Sequence, residues 1–500
     1  MNNMKYFLLL ILAFVGASCS DEFLEKEPLG QPSSQILTKS EDGIKMLLNA
    51  TYANTREFGQ TAFPWFLAKE LGSDDTNTGS VPGDGNSKRE FNDFKHMTSD
   101  GDLASFWSSS YTTIAQANLV ITNAPNVEFN DVSLQARYIG EAKFLRAQAY
   151  LDLVRGWGPV PIVTEVAANP TEASEVTPQS PVADVYKFIE TDLLAAIADL
   201  PLKSEYPQSE LGRITKGAAQ TLLAQTFLHQ LNYPKCLEQV EAVIASGEYS
   251  LYPEYYMVSN VDNQNGAESI YEIQMKYREE KDMTNNWQKW QGVRGSGSGW
   301  GFFSPSEELA DAYEAGDPRR EATIYFKGEP WPFSGDTNIN WAPGTDPRAN
   351  QKTMLPRPFS PGFAGHSPLN RVVLRYADVL LMASECYNEL GQTADALTYL
   401  EMIRERAREG AAVLPEIAET DKVALRHLIW DERRFELALE GYRAYDIRRY
   451  DVVETGFAKT LYLGIGKTAY TEGKHELYPI PQSEMDFDEF TKVLQQNPGW

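Results

Sequence analysis

The chain has 500 residues, with 45 Lys and Arg against 70 Asp and Glu and a formal net charge of −25 at pH 7. A surface of that sign repels a phosphate backbone, so nucleic acid is not an expected partner. Hydrophobic residues at 42% and charged residues at 23% are the proportions of a globular protein, and the length provides for a large core.

The first element is an address. Lys5 precedes the apolar run 6–15, which is too short to span a bilayer and reads as the core of an export signal. Gly16, Ala17 and Ser18 are the small residues before a cleavage point, and the chain turns polar at Cys19. That order is expected of a bacterial lipoprotein: residues 1–18 removed and the Cys19 thiol acylated as the membrane anchor. Gly16 is a departure, because the lipoprotein box usually carries leucine there. Residues 19–40 read as a polar tether, with Pro28 and Pro32 opposing a helix. No later segment is long and apolar enough to cross a membrane.

Helical periodicity comes next. Residues 41–58 place Ile44, Leu47, Leu48 and Tyr52 on one face, and 103–124 place Trp107, Tyr111, Ile114 and Leu119 on another. Residues 138–157 form a third helix, and 181–200 a fourth, opened by Pro181 with Ser180 as its cap. A small–polar–small–aromatic pattern recurs at Ala147-Gln148-Ala149-Tyr150, Ala224-Gln225-Thr226-Phe227 and Ser384-Glu385-Cys386-Tyr387. The last two lie in helix–turn–helix stretches, 217–247 and 376–407. Small residues let helices approach and the aromatic fills the neighbouring groove, which is the logic of tetratricopeptide-like hairpins. Cys236 and Cys386 fall in these helices, either as two buried thiols or as one disulfide.

Between the hairpins, residues 250–370 turn rich in Gly, Pro, Asn, Ser and Trp, and residues 72–92 form a second long loop. Loops of that length inside a domain usually carry function. Residues 268–275, ESIYEIQM, alternate and predict a short strand. The expected fold is mostly α: tetratricopeptide-like helical hairpins form a scaffold, with a long loop-rich ligand-binding segment and minor β. The expected division is an N-terminal helical region at 41–250 and a C-terminal region at 251–500 that contains the loop-rich segment 276–370.

The residues offer little for catalysis. His96, His229, His366, His427 and His475 have no metal-ligand spacing. LGIGKT (463–468) has Leu461 where a phosphate loop needs glycine, and GSGSGWG (295–301) fits tight turns. The stretch 260–272 partly matches a calcium loop through Asn263, Asn265, Gly266 and Glu272, but Val261 takes its first ligand position. No spacing singles out a carboxylate pair for glycoside hydrolysis, and no cofactor is expected.

A binding surface is the remaining reading. Sugars present apolar faces on which Trp and Tyr stack, and hydroxyls that Asp, Asn and Arg bond in pairs. Trp287, Trp290, Trp331, Phe333 and Trp341 lie in the loop-rich segment, and Asp74, Asp75, Asn77 and Arg89 lie in the other long loop. These are the expected ligand residues. Trp107 and Trp157 are expected in the core, and Trp300, between two glycines, as a structural residue.

Blocks at 19–28, 146–163, 299–320, 375–391, 430–450 and 477–500 resemble, in that order along the chain, the SusD/RagB family of outer-membrane nutrient-uptake lipoproteins of Bacteroidetes. CSDEFLEKEP (19–28) is similar to the family's start, and RAQAYLDLVRGWGPVPIV (146–163) to its first signature. GWGFFSPSEELADAYEAGDPRR (299–320) resembles its middle block. RYADVLLMASECYNELG (375–391), WDERRFELALEGYRAYDIRRY (430–450) and the run 477–500 resemble its C-terminal part. The resemblance covers the chain in order. It implies the helical scaffold with a loop-built ligand face, capture of an oligosaccharide without catalysis, and a SusC-like TonB-dependent transporter as partner. The acids after Cys19 resemble a surface-export signal, so the implied place is the outer face of the outer membrane, by lipid anchor. The same scaffold could serve peptide or other nutrient capture, and a surface glycoside hydrolase is a further alternative. The resemblance does not place the site, so the expected ligand residues rest on region and chemistry.

Overall fold

Ser40 ends the tether by capping the first long helix, its Oγ accepting from Gly43 N at 3.1 Å. The computed structural model describes residues 37–165, 176–276, 285–297, 299–332, 334–355, 367–488 and 492–500. The export signal, Cys19, most of the tether, Phe333 and His366 therefore lie outside the described residues.

The helices that build the scaffold and position the loops are α1 (Glu41–Asn54), α2 (Gly101–Asn123), α3 (Val132–Trp157), α4 (Val182–Asp199), α5 (Lys216–His229), α6 (Tyr233–Ser246), α7 (Trp287–Gln291), α8 (Tyr376–Glu389), α9 (Thr393–Arg408), α10 (Lys422–Leu437) and α11 (Arg443–Val453). Along the first half each packs on the next: α2 on α3, α3 on α4, α4 on α5, and α5 on α6. Then α6 meets α8, which also carries α9 and α10. Both predicted hairpins are present as α5–α6 and α8–α9, and the fold is a tetratricopeptide-like helical scaffold. Their turns close alike. Asn232 N donates to Phe227 O at 2.9 Å and Gln392 N to Tyr387 O at 2.8 Å, across left-handed residues Leu231 (φ 56°) and Gly391 (φ 78°). The accepting carbonyls belong to the aromatic of the repeated pattern.

Among the described residues strands are few and paired in twos, all antiparallel. β1 (Thr76–Gly79) pairs with β5 (Phe302–Pro305), and β2 (Val160–Pro161) with β3 (Gln179–Ser180). β4 (Ser269–Ile273), the predicted strand, pairs with β8 (Arg371–Arg375), and β6 (Ile324–Phe326) with β7 (Arg348–Asn350). Ser180 does not cap α4. It sits in β3 opposite Val160, and Pro181 holds the cap position instead.

One main core runs from Ile44 to Ile480 and takes in Trp107 and Trp157 as expected. The run 430–450 is knitted by buried ion pairs. Arg433 bonds Asp378 (2.5 Å) and Asp446 (2.8 Å), and Arg375 bonds Glu268, Glu436 and Glu440 at 2.6–2.8 Å. Burial alone would raise the Glu436 carboxyl, but Arg406, Arg375 and Arg319 hold it well below the usual range. Cys236 and Cys386 are free, buried thiols.

Candidate ligand-binding face

The two long loops meet because their ends form a sheet. In β1–β5, Asn77 lies opposite Ser304 and Gly79 opposite Phe302. The approach is so close that a Cβ on Gly79 (φ 66°) would lie 2.3 Å from Gly301 O. At Gly299 a Cβ would come within 2.1 Å of the Gly292 carbonyl carbon, so the 292–301 hairpin closes only on glycine. Ser80 and Phe303 hold left-handed backbone at φ 56° and 52°, a strain of about 1–3 kcal/mol each that neighbours must support. Phe303 is supported by stacking on Phe66 (5.0 Å) and by an edge contact with Phe63 (4.7 Å).

On this base stands a cluster of aromatics that reaches the surface. Trp290 of α7, Trp300 and Phe302 are half-buried, and Phe58 is 48% exposed. Buried Phe63 is their floor, 4.6 Å from Trp290 and 5.2 Å from Phe302. Trp290 and Trp300 are 4.3 Å apart, and Phe58 meets Trp290 edge-on at 6.4 Å. Lys289 Nζ lies 4.8 Å over the Trp300 ring. The hairpin orients Trp300, whose N donates to Lys289 O at 2.9 Å.

The rim is polar and fixed. Arg294 pairs with Asp84 at 2.5 Å and donates to Ser80 Oγ at 2.9 Å, and the one Ser80 hydroxyl proton has Asp84 (2.8 Å) and Trp300 O (3.0 Å) as alternative acceptors. Arg89 props the loop from behind through Val81 O (2.9 Å) and Gly79 O (3.4 Å). Adjacent half-exposed rings with a hydrogen-bonding rim suit a ligand that has apolar faces and many hydroxyls.

The expected ligand residues divide. Trp290 is at this face, with Asn77 in its supporting strand and Arg89 on a short helix, Asn86–Asn92, that with β1 takes up much of the expected 72–92 loop. Trp287 is not: it is 7% exposed, stacks against Phe66 and donates from Nε1 to Leu369 O at 3.0 Å. Trp331 and Trp341 are 3% and 8% exposed and flank Tyr325 in a separate small core with Val293, Ala349 and Met354. Loops rich in polar residues still need apolar plugs, and these tryptophans serve as such.

Asp74 and Asp75 lie away from this face, buried in ion pairs. Asp74 takes Arg443 through both oxygens (2.7 and 2.9 Å), and Asp75 takes Arg434 at 2.6 Å. Burial would raise Asp74, but Arg443 and Arg434 hold it well below the usual carboxylate range, whereas burial raises Asp75 despite Arg434. They are counterions of the arginine-rich C-terminal helices. The many arginines in 433–449 are the signal for this, since buried guanidinium groups need acids from elsewhere in the chain.

Trp300, expected to be structural, reaches the face, and Phe58 and Phe302, which were not among the expected ligand residues, join it. GWGFF is the signal for Trp300 and Phe302, because aromatics beside tight glycine turns have little chain to hide behind. Glu272 of the calcium-like stretch has its oxygens taken by Asn265 N (2.8 Å) and Asn370 Nδ2 (2.8 Å). Lys467 of LGIGKT donates to Ser73 O at 2.7 Å.

A helical-repeat scaffold with an aromatic, polar-rimmed loop face defines a class of ligand-binding proteins. A model of the SusD family matches residues 257–500, and a second, described as starch-binding associating with outer membrane, matches residues 22–228. The chain belongs to the SusD family. It is 26% identical to a SusD-like protein of Formosa agariphila over 524 residues, covering 99% of each chain. A SusD-like protein of Bacteroides ovatus is 26% identical, with 89% of this chain and 82% of that one covered. A solved laminarin-binding SusD-like protein is 28% identical with a TM-score of 0.75, over 92% of this chain and all (100%) of that one. The surface glycan-binding protein A of Bacteroides fluxus shares the fold at TM-score 0.77 and 24% identity, covering 92% and 100%.

Proposed function

We propose that the protein is a cell-surface glycan-binding lipoprotein. It captures an oligosaccharide on the Phe58–Trp290–Trp300–Phe302 face and delivers it, unaltered, to a SusC-like TonB-dependent transporter, held at the outer membrane by acyl chains on Cys19. The carrying observation is the Trp290–Trp300 pair, 4.3 Å apart and half-buried beside the Arg294–Asp84 rim. The laminarin-binding relative supports a glucan as the first ligand to try. Exposed Phe58 leaves the edge of the face open to solvent, which suits a chain that enters and leaves from the side.

Isothermal titration against laminari-, malto- and xylo-oligosaccharides tests the ligand class, with new reducing ends assayed in parallel. Binding of one series without cleavage is expected. Binding of extended peptides and of no glycan, or the release of reducing ends, overturns the reading. Co-purification of a β-barrel transporter from the native outer membrane, lost with Cys19→Ala, tests partner and anchor.

A further inference from the structure

Arg371 stands apart from the other buried arginines. Among the described residues every other one, from Arg146 to Arg449, has a carboxylate within ion-pair distance. Arg371, 5% exposed on β8, has none. Its Nε donates to Thr61 Oγ1 and its Nη2 to Gln60 O at 3.4 Å, and its guanidinium lies 4.2 Å from the Trp65 ring. Among the described residues Nη1 has no hydrogen-bond partner.

The nearby acids are committed elsewhere. Asp152 is held by Lys69 (2.7 Å) and Arg155 (2.6 Å), Glu440 by Lys352 (2.6 Å) and Arg375 (2.7 Å), and Glu272 by Asn265 N and Asn370. Burial therefore lowers Arg371 to about 10 with little to offset it. A buried cation left uncompensated is costly to keep, so a counter-charge that arrives from outside would be bound strongly.

There is room for one. A cavity of about 50 Å³ adjoins Arg371, walled by Trp65, Phe66, Trp287, Asn260 and Asn370, with Lys352 and the already bonded carboxylates of Glu272 and Glu440 also in its lining. A single water needs roughly 10–15 Å³ on this measure, so the space holds a carboxylate-sized group and not a whole pyranose ring. Asn260 and Val258 at its wall are half-buried, which puts the mouth at the surface. Asn260 Oδ1 accepts from Asp262 N, so its amide nitrogen is a second donor there. Helix α7 links the two places: Trp287 walls the cavity and Trp290 anchors the aromatic face.

We propose that this cavity receives the carboxylate of an acidic sugar, with Arg371 Nη1 as its charge-assisted donor and the sugar ring held at the mouth. The site would let the protein take uronic-acid glycans, selecting a charge class by a buried guanidinium rather than by ring stacking.

The test uses the full mature chain. Glucuronate should raise the wild-type melting midpoint in a dose-dependent way, glucose should not, and acetate should do so only at concentrations at least ten-fold higher. Arg371→Met should remove the glucuronate effect and weaken an oligouronate at least ten-fold by titration. Arg371→Lys keeps the charge but loses the planar donor pair, and should also bind weakly should the Met variant not fold. An unchanged oligouronate affinity in Arg371→Lys or Arg371→Met, or no glucuronate effect on the wild type, overturns the proposal. Acetate matching glucuronate overturns its assignment to a sugar. The two binding places fail separately: Trp300→Ala should lose neutral oligosaccharide and keep the glucuronate response.

Discussion

Replacing Asp74 by Asn removes one charge from a buried set in which Arg443 makes two short bonds to it and Arg434 lies 3.1 Å away. The Asp74 side chain is 1% exposed and that of Arg443 8%, so water cannot take over. Asp75 remains beside Arg434, but Arg443 loses its ion-pair partner. Breaking a buried pair from one side costs about 3–5 kcal/mol. For a chain of 500 residues, an unfolding entropy of roughly 1 kcal/mol/K turns that into a melting midpoint lower by about 3–5 °C. Differential scanning calorimetry reads the shift, and titration of the same variant with its glycan reads affinity. A lowered midpoint with affinity within about two-fold is expected. An unshifted midpoint with affinity lost would return Asp74 to the ligand and refute the counterion assignment.

Trp331→Ala empties the small core around Tyr325 and should cost about 3–5 kcal/mol in denaturant unfolding, with glycan affinity unchanged; lost affinity at full stability would contradict its place as a plug. Gly299→Ala forces the 292–301 hairpin open, so glycan binding should fall at least ten-fold while the melting midpoint stays within about 2 °C. Full binding would show that the hairpin does not set Trp300. Burial, then His475, lowers His96 to about 3, against about 6.5 when unfolded. The unfolded chain thus takes up a proton at this residue below pH 6.5 that the folded chain refuses. Stability should fall as pH drops from about 6.5 towards 3, by up to about 1.4 kcal/mol per unit from this group. His96→Phe should flatten that limb, and an identical pH profile would contradict it.

Periodicity carried the scaffold. The small–polar–small–aromatic repeats located both hairpins because that pattern is what close helix packing requires, and α5–α6 and α8–α9 fall where it lies. ESIYEIQM was legible as a strand through its β-branched and aromatic residues, although all five residues of β4 are buried and its alternation does not mark a wet face. The candidate ligand face was legible only as two loops. That they join through Asn77–Ser304 and Gly79–Phe302 depends on pairing across more than 220 positions, which no local pattern encodes. Which tryptophan faces out was not legible either. Trp287 and Trp290 are three residues apart on one short helix, and their different exposure is decided by Phe66 and Leu369 from distant elements. Asp74 and Asp75 looked like ligand groups because their arginines are about 360 residues away in the chain.

Isothermal titration of Trp290→Ala and Trp300→Ala with the best-binding oligosaccharide reads whether the Trp290–Trp300 pair is the capture surface. Each substitution should weaken binding by roughly 1–3 kcal/mol, about 5- to 150-fold in Kd, with the helical circular-dichroism spectrum unchanged. Wild-type affinity in both variants would contradict the account and place glycan capture elsewhere on the molecule.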